Sequence, residues 1–155
     1  MINIYKKILL GVDNSEHSMK AIEKALEIQK RDNSEVVIFH SVLHKLSDIR
    51  PTFAGLNINA GESLNYEIHE DRVKDASTLL EKIKKKFENS SAKVETRLTY
   101  DIGPQYYIEK KVKEENYDLV ILGCQGEHSK LRRTILGTVP EYVLNHVESD
   151  VLVIK

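Results

Sequence analysis

Short apolar runs separated by amphipathic stretches dominate the pattern of this chain. The runs 8–12, 36–39, 119–122 and 151–154 are four or five residues long and carry no charged side chain. Uninterrupted runs of this length are typical of strands buried on both faces of a parallel sheet. Over 93–98 charged residues alternate with Val, Thr and Leu, which predicts a fifth strand with one solvated face, at a sheet edge.

Helical spacing separates these strands. Ser15 is predicted to cap a first helix, and helical spacing returns over 68–87. A third helix follows Pro104, and a fourth begins near Thr138, where Thr138 and Glu141 have capping-box spacing. Alternating strands and helices predict the α/β class: a doubly wound five-stranded parallel sheet of order 3-2-1-4-5 with helices on both faces.

The stretch 42–66 shows no clear period. Pro51, Gly55 and Gly61 punctuate it. It is predicted to be a long loop, and loops of this length usually serve as functional lids or are disordered.

Two glycine segments predict where a ligand binds. In the order 3-2-1-4-5, strands 1 and 4 are neighbours, and ligands bind at the C-terminal strand ends where the winding reverses. Asp13 ends the first of these strands, Gly123 and Gly126 follow the other, and the pair 137–138 opens the last helix. Glycines let a backbone approach a ligand closely, and a helix N-terminus attracts phosphate. The pattern therefore favours an anionic ligand such as a nucleotide.

Composition and charge narrow the classes of protein and partner that fit this chain. A chain of 155 residues is long enough for one domain with a sizeable core, and its formal net charge of −1 offers no general attraction for nucleic acid or membrane lipid. The single cysteine, Cys124, excludes an internal disulfide and fits a reducing compartment. The N-terminus has no signal-peptide pattern, and the apolar runs are far shorter than the roughly 20 residues of a membrane span. We expect a cytoplasmic single domain.

Other chemistry has little support in the sequence. The six histidines show no metal-ligand spacing, and neither a Walker loop nor a dinucleotide glycine motif is present. No residue is nominated as a general base, so no catalytic residue and no metal site are predicted. Lys130, Arg132 and Arg133 have two interpretations, a solvated basic stretch or a clamp on phosphate oxygens.

Four segments resemble the universal stress protein family, in particular its nucleotide-binding branch. They are 5–18, which matches the first strand and turn, 118–126, which matches the fourth strand and glycine loop, and the closing segments 136–139 and 151–154. The likeness runs from end to end apart from 42–66. It implies a single domain of this family over 1–155, with the adenine nucleotide alpha-hydrolase-like fold.

The family's nucleotide motif is a glycine, two residues, a glycine, nine residues, a glycine and then Ser or Thr. Gly123 and Gly126 have that spacing, but ten residues separate Gly126 from Gly137, and Thr138 supplies the hydroxyl. Gly11 stands where many relatives have proline. One additional loop residue costs little conformational entropy, but we expect it to move the donors of Gly126 relative to those of Gly137.

The resemblance also implies a role for each site residue. Asp13 would contact the ribose, and the backbone near Val12 and Val42 would flank adenine. The remaining predicted residues would surround the phosphates or complete the site: Leu122, Gly123, Gly126, Gly137, Thr138 and Val139. The implied ligand is ATP, accompanied by Mg²⁺ held through the triphosphate oxygens.

The segment 151–154 predicts an assembly. An apolar last strand left unpaired would be an exposed edge, and pairing it with a second copy gives a two-fold dimer, as the resemblance also implies. The leading hypothesis is a cytoplasmic stress-response homodimer that ATP regulates by shifting its conformational equilibrium. The alternatives are a slow ATP hydrolase on the same fold, which turnover would reveal, and a dimeric interaction module without nucleotide.

Overall fold

The structure is a computed structural model that describes residues 2–43, 58–126 and 136–155. For residues 58–68 it describes the backbone alone. The chain alternates strands and helices in the order β1 Lys7–Gly11, α1 Glu16–Asp32, β2 Glu35–Val42, α2 Ile58–Lys86, β3 Val94–Tyr100, α3 Pro104–Glu115, β4 Leu119–Gly123, α4 Thr138–His146 and β5 Asp150–Ile154.

The five strands form one parallel sheet of order β3-β2-β1-β4-β5. β1 lies at its centre, where Leu9 is in register with Val37 of β2 and Val120 of β4. The chain winds outward from β1 first through β2 and β3, and then through β4 and β5 on the other side. The predicted strand order and the reversal between β1 and β4 are therefore confirmed.

Alternate residues of the central strands face opposite sides of the sheet. Ile8 and Leu10 pack in one core cluster with buried residues of α1 and α2, including Ile22 and Ile83. Leu9 points the other way and packs with α3 and α4 in a second cluster. Because side chains alternate along a strand, a strand that is apolar at every position needs a helix layer on each face. Helices on both faces are thus confirmed.

The beginning of α2 differs from the prediction. The helix starts at Ile58, inside the stretch 42–66 predicted to be a loop, so that prediction is wrong for residues 58–66. It is also wrong for Val42, which is the last residue of β2. Gly61 and a polar composition hide any helical period in the first turns. Residues 44–57 of the predicted loop lie outside the described residues.

The two predicted helix caps have opposite outcomes. Ser15 caps α1 as predicted, because its hydroxyl accepts a 3.1 Å hydrogen bond from the Ser18 N–H. The capping box at Thr138 and Glu141 is wrong. Gly137 is the N-cap of α4 and no side chain caps it, so Thr138 is already the first helical residue. A contact of Gly137 with the end of β4, given below, fixes that beginning.

The edge strands have less cover than the centre. β3 pairs with β2 alone and its residues are half-buried or exposed, which confirms the predicted edge strand. β5 pairs with β4, and residues 151–154 are half-buried. None of the helices in the described ranges is both long and apolar enough to cross a membrane.

Candidate functional site

A cavity of about 760 Å³ lies over the C-terminal ends of β1, β2 and β4. Pockets for small ligands typically range from about 300 to 1,000 Å³, so a nucleotide is of a suitable size. The structure brings all nine predicted site residues to its wall: Val12, Asp13, Val42, Leu122, Gly123, Gly126, Gly137, Thr138 and Val139.

The carboxylate of Asp13 is held at the beginning of α1. Its Oδ1 accepts a 2.8 Å hydrogen bond from the Ser15 N–H, and its own N–H donates to the hydroxyl of Ser18 at 2.9 Å. This is the local Asx turn that Asp commonly forms before a helix. Asp13 therefore serves as a turn residue, and the turn also fixes its side chain at the cavity wall.

Gly126 faces that carboxylate across the crevice between β1 and β4. A Cβ at position 126 would lie 3.1 Å from Oδ2 of Asp13. A larger residue here would push against Asp13 and project into the space between them. Glycine at this position thus keeps the backbone close to the carboxylate and the crevice open.

Gly123 has a packing role at the end of β4. A Cβ at this position would lie 2.9 Å from backbone atoms of His17 and Ser18 in α1, closer than real side chains approach. The next turn is also tied to α1, because the Gln125 N–H donates to Nδ1 of His17 at 3.1 Å. The first glycine therefore allows α1 to pack against the end of β4.

The beginning of α4 offers few backbone donors. The Gly137 N–H donates to the carbonyl of Cys124 at 2.9 Å, so it is already engaged within the fold. Pro140 has no N–H. The first-turn N–H groups of Thr138 and Val139 have no partner within the helix, as in any α-helix. These two groups and the Thr138 hydroxyl are the donors that this helix start provides for an anion.

The opposite end of the cavity includes buried valines, and the backbone groups there are largely engaged. Val12 and Val42 are buried. The Val12 N–H donates to the Phe39 carbonyl at 3.0 Å, and its own carbonyl accepts from Nδ1 of His40 at 2.6 Å. The Val42 carbonyl accepts from the Asp101 N–H. Because both backbone groups of Val12 are engaged within the fold, its side chain is the part that can contact a ligand.

Sequence reasoning missed the contribution of α2. Arg72, Asp75, Ala76 and Leu79 line the cavity. Their spacing of three, four and seven residues places them on one helix face, so helical periodicity was the signal that could have found them. The Arg72 guanidinium donates to the carbonyl of Leu43 at 3.3 Å, which links α2 to the end of β2.

The remaining candidate groups are the basic residues of the loop, possible metal ligands and the single cysteine. Lys130, Arg132 and Arg133, considered above as a phosphate clamp, lie outside the described residues. Within 2–43, 58–126 and 136–155, no three His, Cys, Asp or Glu side chains cluster as a metal site would require. Cys124 is buried beside the cavity, and its N–H donates to the Ile154 carbonyl at 2.7 Å.

A charged network lies away from this cavity and joins β3, the end of α3 and the turn before β4. Glu115 accepts hydrogen bonds from Arg97 at 2.9 and 3.0 Å and from the Tyr117 hydroxyl at 2.7 Å. The Arg97 hydrogen bonds, with help from Tyr117, lower the pKa of the Glu115 carboxyl to about 2. Burial and the Glu115 carboxylate raise the pKa of Tyr117. Its position indicates that this network joins the edge strand to α3 and takes no part in the cavity.

Comparison with known proteins identifies the family. The sequence model of the Universal stress protein family matches residues 4–155 of this chain. The chain belongs to this family. The resemblance of its four segments is therefore confirmed over nearly the whole length.

Three relatives illustrate the range of similarity to this universal stress protein. Universal stress protein MJ0531 of Methanocaldococcus jannaschii is 31% identical over 153 residues, which are 99% of this chain and 84% of the relative. The structure of UspA from Lactobacillus plantarum is 25% identical, with a TM-score of 0.78 over 97% of this chain and 98% of the other. A family member from Arabidopsis thaliana, solved with AMP bound, is 18% identical, with a TM-score of 0.59 over 97% and 91% of the two chains.

Proposed function

We propose that this universal stress protein binds an adenine nucleotide in the cavity over β1, β2 and β4. The proposed ligand is ATP with Mg²⁺, and the proposed location of the protein is the cytoplasm. The observation that carries the proposal is the approach of Gly126 to Asp13, with a Cβ at 126 only 3.1 Å from the carboxylate. This approach creates a narrow crevice with an acceptor on one side and a bare backbone on the other. A nucleotide needs both, an acceptor for its hydroxyls and an open path for its phosphates.

The polarity of the cavity supports one orientation. Phosphates would lie beside Gly126 and the N–H groups of Thr138 and Val139, where the helix dipole of α4 favours negative charge. The Asp13 carboxylate would accept from ribose hydroxyls. The base would lie at the apolar end between Val12 and Val42, both buried in the structure. The AMP bound to the relative from Arabidopsis thaliana agrees with an adenine nucleotide on this fold.

The binding proposal is tested by titration calorimetry of nucleotide-stripped protein with Mg-ATP and with AMP. We expect micromolar affinity, a binding free energy of about −8 kcal/mol. Gly126→Asp should lower the affinity at least about tenfold, because it brings a second carboxylate beside Asp13 and into the phosphate path. Asn3→Asp adds the same charge at an exposed position and is the matched control.

Asp13→Asn separates binding from folding. Asparagine keeps an oxygen for the Ser15 N–H and therefore the turn, but it removes the charge that holds ribose hydroxyls. We expect weaker nucleotide binding at unchanged thermal stability. Absence of heat at millimolar ATP, in folded and stripped wild-type protein, would contradict the proposal and favour an interaction module without nucleotide. Steady release of phosphate from ATP would instead support the hydrolase alternative.

The proposal includes a homodimer formed through β5. The Asp150 N–H donates to Asp118 and the Ile154 carbonyl accepts from Cys124, so residues 150 and 154 face β4. Because backbone groups alternate direction along a strand, Val151 and Val153 direct theirs to the open edge. A second copy pairing there would satisfy these groups and give two-fold symmetry.

Val153→Pro tests this interface. Proline removes an N–H that points away from β4, so the fold should survive while edge pairing fails. We expect light scattering to report a dimer for the wild type and a monomer for Val153→Pro. Val153→Ala keeps the N–H and should remain dimeric. A wild type that is monomeric at micromolar concentration would refute the dimer without affecting the nucleotide site.

A further inference from the structure

The imidazole of His40 has a defined tautomer. Its Nδ1 lies 2.6 Å from the carbonyl oxygen of Val12. A carbonyl oxygen only accepts hydrogen bonds, so Nδ1 must carry the proton. In the neutral ring the other nitrogen, Nε2, is then a hydrogen-bond acceptor. The bond to Val12 also fixes the ring between the ends of β1 and β2.

The same ring lines the cavity. His40 is half-buried, and it lies at the wall formed by the end of β2. Among residues 2–43, 58–126 and 136–155, the Val12 carbonyl is the one hydrogen-bond partner of this side chain, and it uses Nδ1. Nε2 is therefore the polar atom with which the ring can meet a ligand.

The position of His40 along the sheet matches the base of a nucleotide. Gly126 follows β4, Asp13 follows β1, and His40 belongs to β2, so the three lie in order across neighbouring strands. Strands are about 4.8 Å apart, and two steps cover roughly 10 Å, the length scale of a nucleoside phosphate. A ligand with phosphates at Gly126 and ribose at Asp13 would bring its base to β2.

Apolar side chains near His40 fit a flat apolar ring, and the charged Arg72 and Asp75 line the same α2 wall. Val12 and Val42 are buried on the strand side, and Ala76 and Leu79 of α2 are buried on the other. In such surroundings a single well-placed acceptor has a large effect, because an unpaired polar group there is costly.

We infer that His40 is a specificity-determining residue that selects adenine by accepting a hydrogen bond at Nε2 from the exocyclic amine of the base. The inference rests on the proposed nucleotide site and names the group that reads the base there. Adenine presents a donor at C6, whereas hypoxanthine and guanine present a carbonyl oxygen. That oxygen would face the Nε2 lone pair, and both acceptors would be left unsatisfied.

The test compares AMP with inosine monophosphate, which carries a carbonyl oxygen in place of the C6 amine. Calorimetric titrations of the wild type are expected to show a preference for AMP of about tenfold or more. His40→Asn keeps an amide that can donate to Val12 but lacks an atom at the position of Nε2. It should bind AMP more weakly and lose most of the preference.

His40→Gln is the matched variant, because its longer side chain brings an amide oxygen to the position of Nε2. It should keep much of the preference for AMP, a result that a merely structural role for His40 would not produce. Asp75→Asn examines the other acceptor on the α2 wall. If this change abolishes the preference and His40→Asn leaves it intact, the inference is overturned.

Failure of the inference differs from failure of the proposed site. Wild-type protein that binds AMP and inosine monophosphate equally would overturn the role of His40 and leave the nucleotide site standing. Protein that binds neither nucleotide would overturn both. Thermal unfolding of each variant verifies that it is folded. If a variant does not fold, the comparison of AMP with inosine monophosphate in the wild type decides the question.

Discussion

The N–H of Gly137 donates a 2.9 Å hydrogen bond to the carbonyl of Cys124, and a Cβ at position 137 would lie only 2.7 Å from that same oxygen. This contact joins the turn after β4 to the N-cap residue of α4. It therefore holds the two halves of the glycine motif, the end of β4 and the start of α4, at the same wall of the cavity.

Gly137→Ala is expected to disturb this contact. The new Cβ cannot remain 2.7 Å from a carbonyl oxygen, so the backbone must shift and the hydrogen bond must lengthen. We expect a loss of about 1–3 kcal/mol in unfolding free energy and weaker nucleotide binding. Chemical denaturation and calorimetry measure the two effects. An unchanged stability would show that the turn adapts without cost.

Gly123→Ala should destabilise the fold even without a ligand, because its Cβ would meet the α1 backbone at 2.9 Å. We expect a loss of about 1–3 kcal/mol in unfolding free energy. Gly103→Ala is the matched control, since its Cβ would meet the side chains of Gln105 and Tyr106, which can move. Equal losses for the two variants in urea denaturation would contradict the packing role of Gly123.

Ser15→Ala and Thr138→Ala should differ in their effect on stability. Ser15 caps α1 with its hydroxyl, so its removal should lower the unfolding free energy by about 1 kcal/mol. Thr138 does not cap α4, so its substitution should change the stability of the nucleotide-free protein little. It should instead weaken nucleotide binding. A comparable loss of stability in both variants would restore the capping role that the sequence suggested for Thr138.

Acid should weaken the protein partly through Glu115. Its carboxyl has a pKa of about 2 in the fold against an ordinary value of 4.5. Because the folded pKa is the lower one, the stabilisation is fully present above pH 4.5 and is lost as the pH falls toward 2. Asp32, whose pKa is also lowered to about 2, chiefly by Arg31, adds to the same acid sensitivity.

Glu115→Gln should therefore lower the unfolding free energy by about 1–3 kcal/mol at pH 7. The difference from the wild type should shrink as the pH approaches 2. Glu114→Gln makes the same charge change at a more exposed position on the same helix, and its effect should be small. Denaturant titrations between pH 2 and 7 measure both, and a difference that does not vary with pH would refute the electrostatic explanation.

Some of the residues at the site could be predicted from the sequence, and others could not. Asp13 and Gly123 were predicted to converge because the carboxyl ends of β1 and β4 meet at one edge of the sheet, and the cavity wall includes both. His40 and Arg72 were not predicted. Helical periodicity places Arg72 on one face of α2 with Ala76 and Leu79, but only the packing of α2 shows that this face lines the cavity. The position of His40 depends in the same way on where β2 ends beside β1.

The sequence by itself determined the strands, their order and the position of the crevice. Buried parallel strands must be apolar at every position, and alternation with helices leaves few topologies, so this information is local and repeated along the chain. The tertiary structure decided where α2 begins, how the start of α4 is capped, what Gly123 and Gly137 do, and which nitrogen of His40 is an acceptor. Each of these depends on a distance between atoms far apart in the chain, such as Gly123 against α1 or Nδ1 of His40 against Val12, and only packing sets such distances.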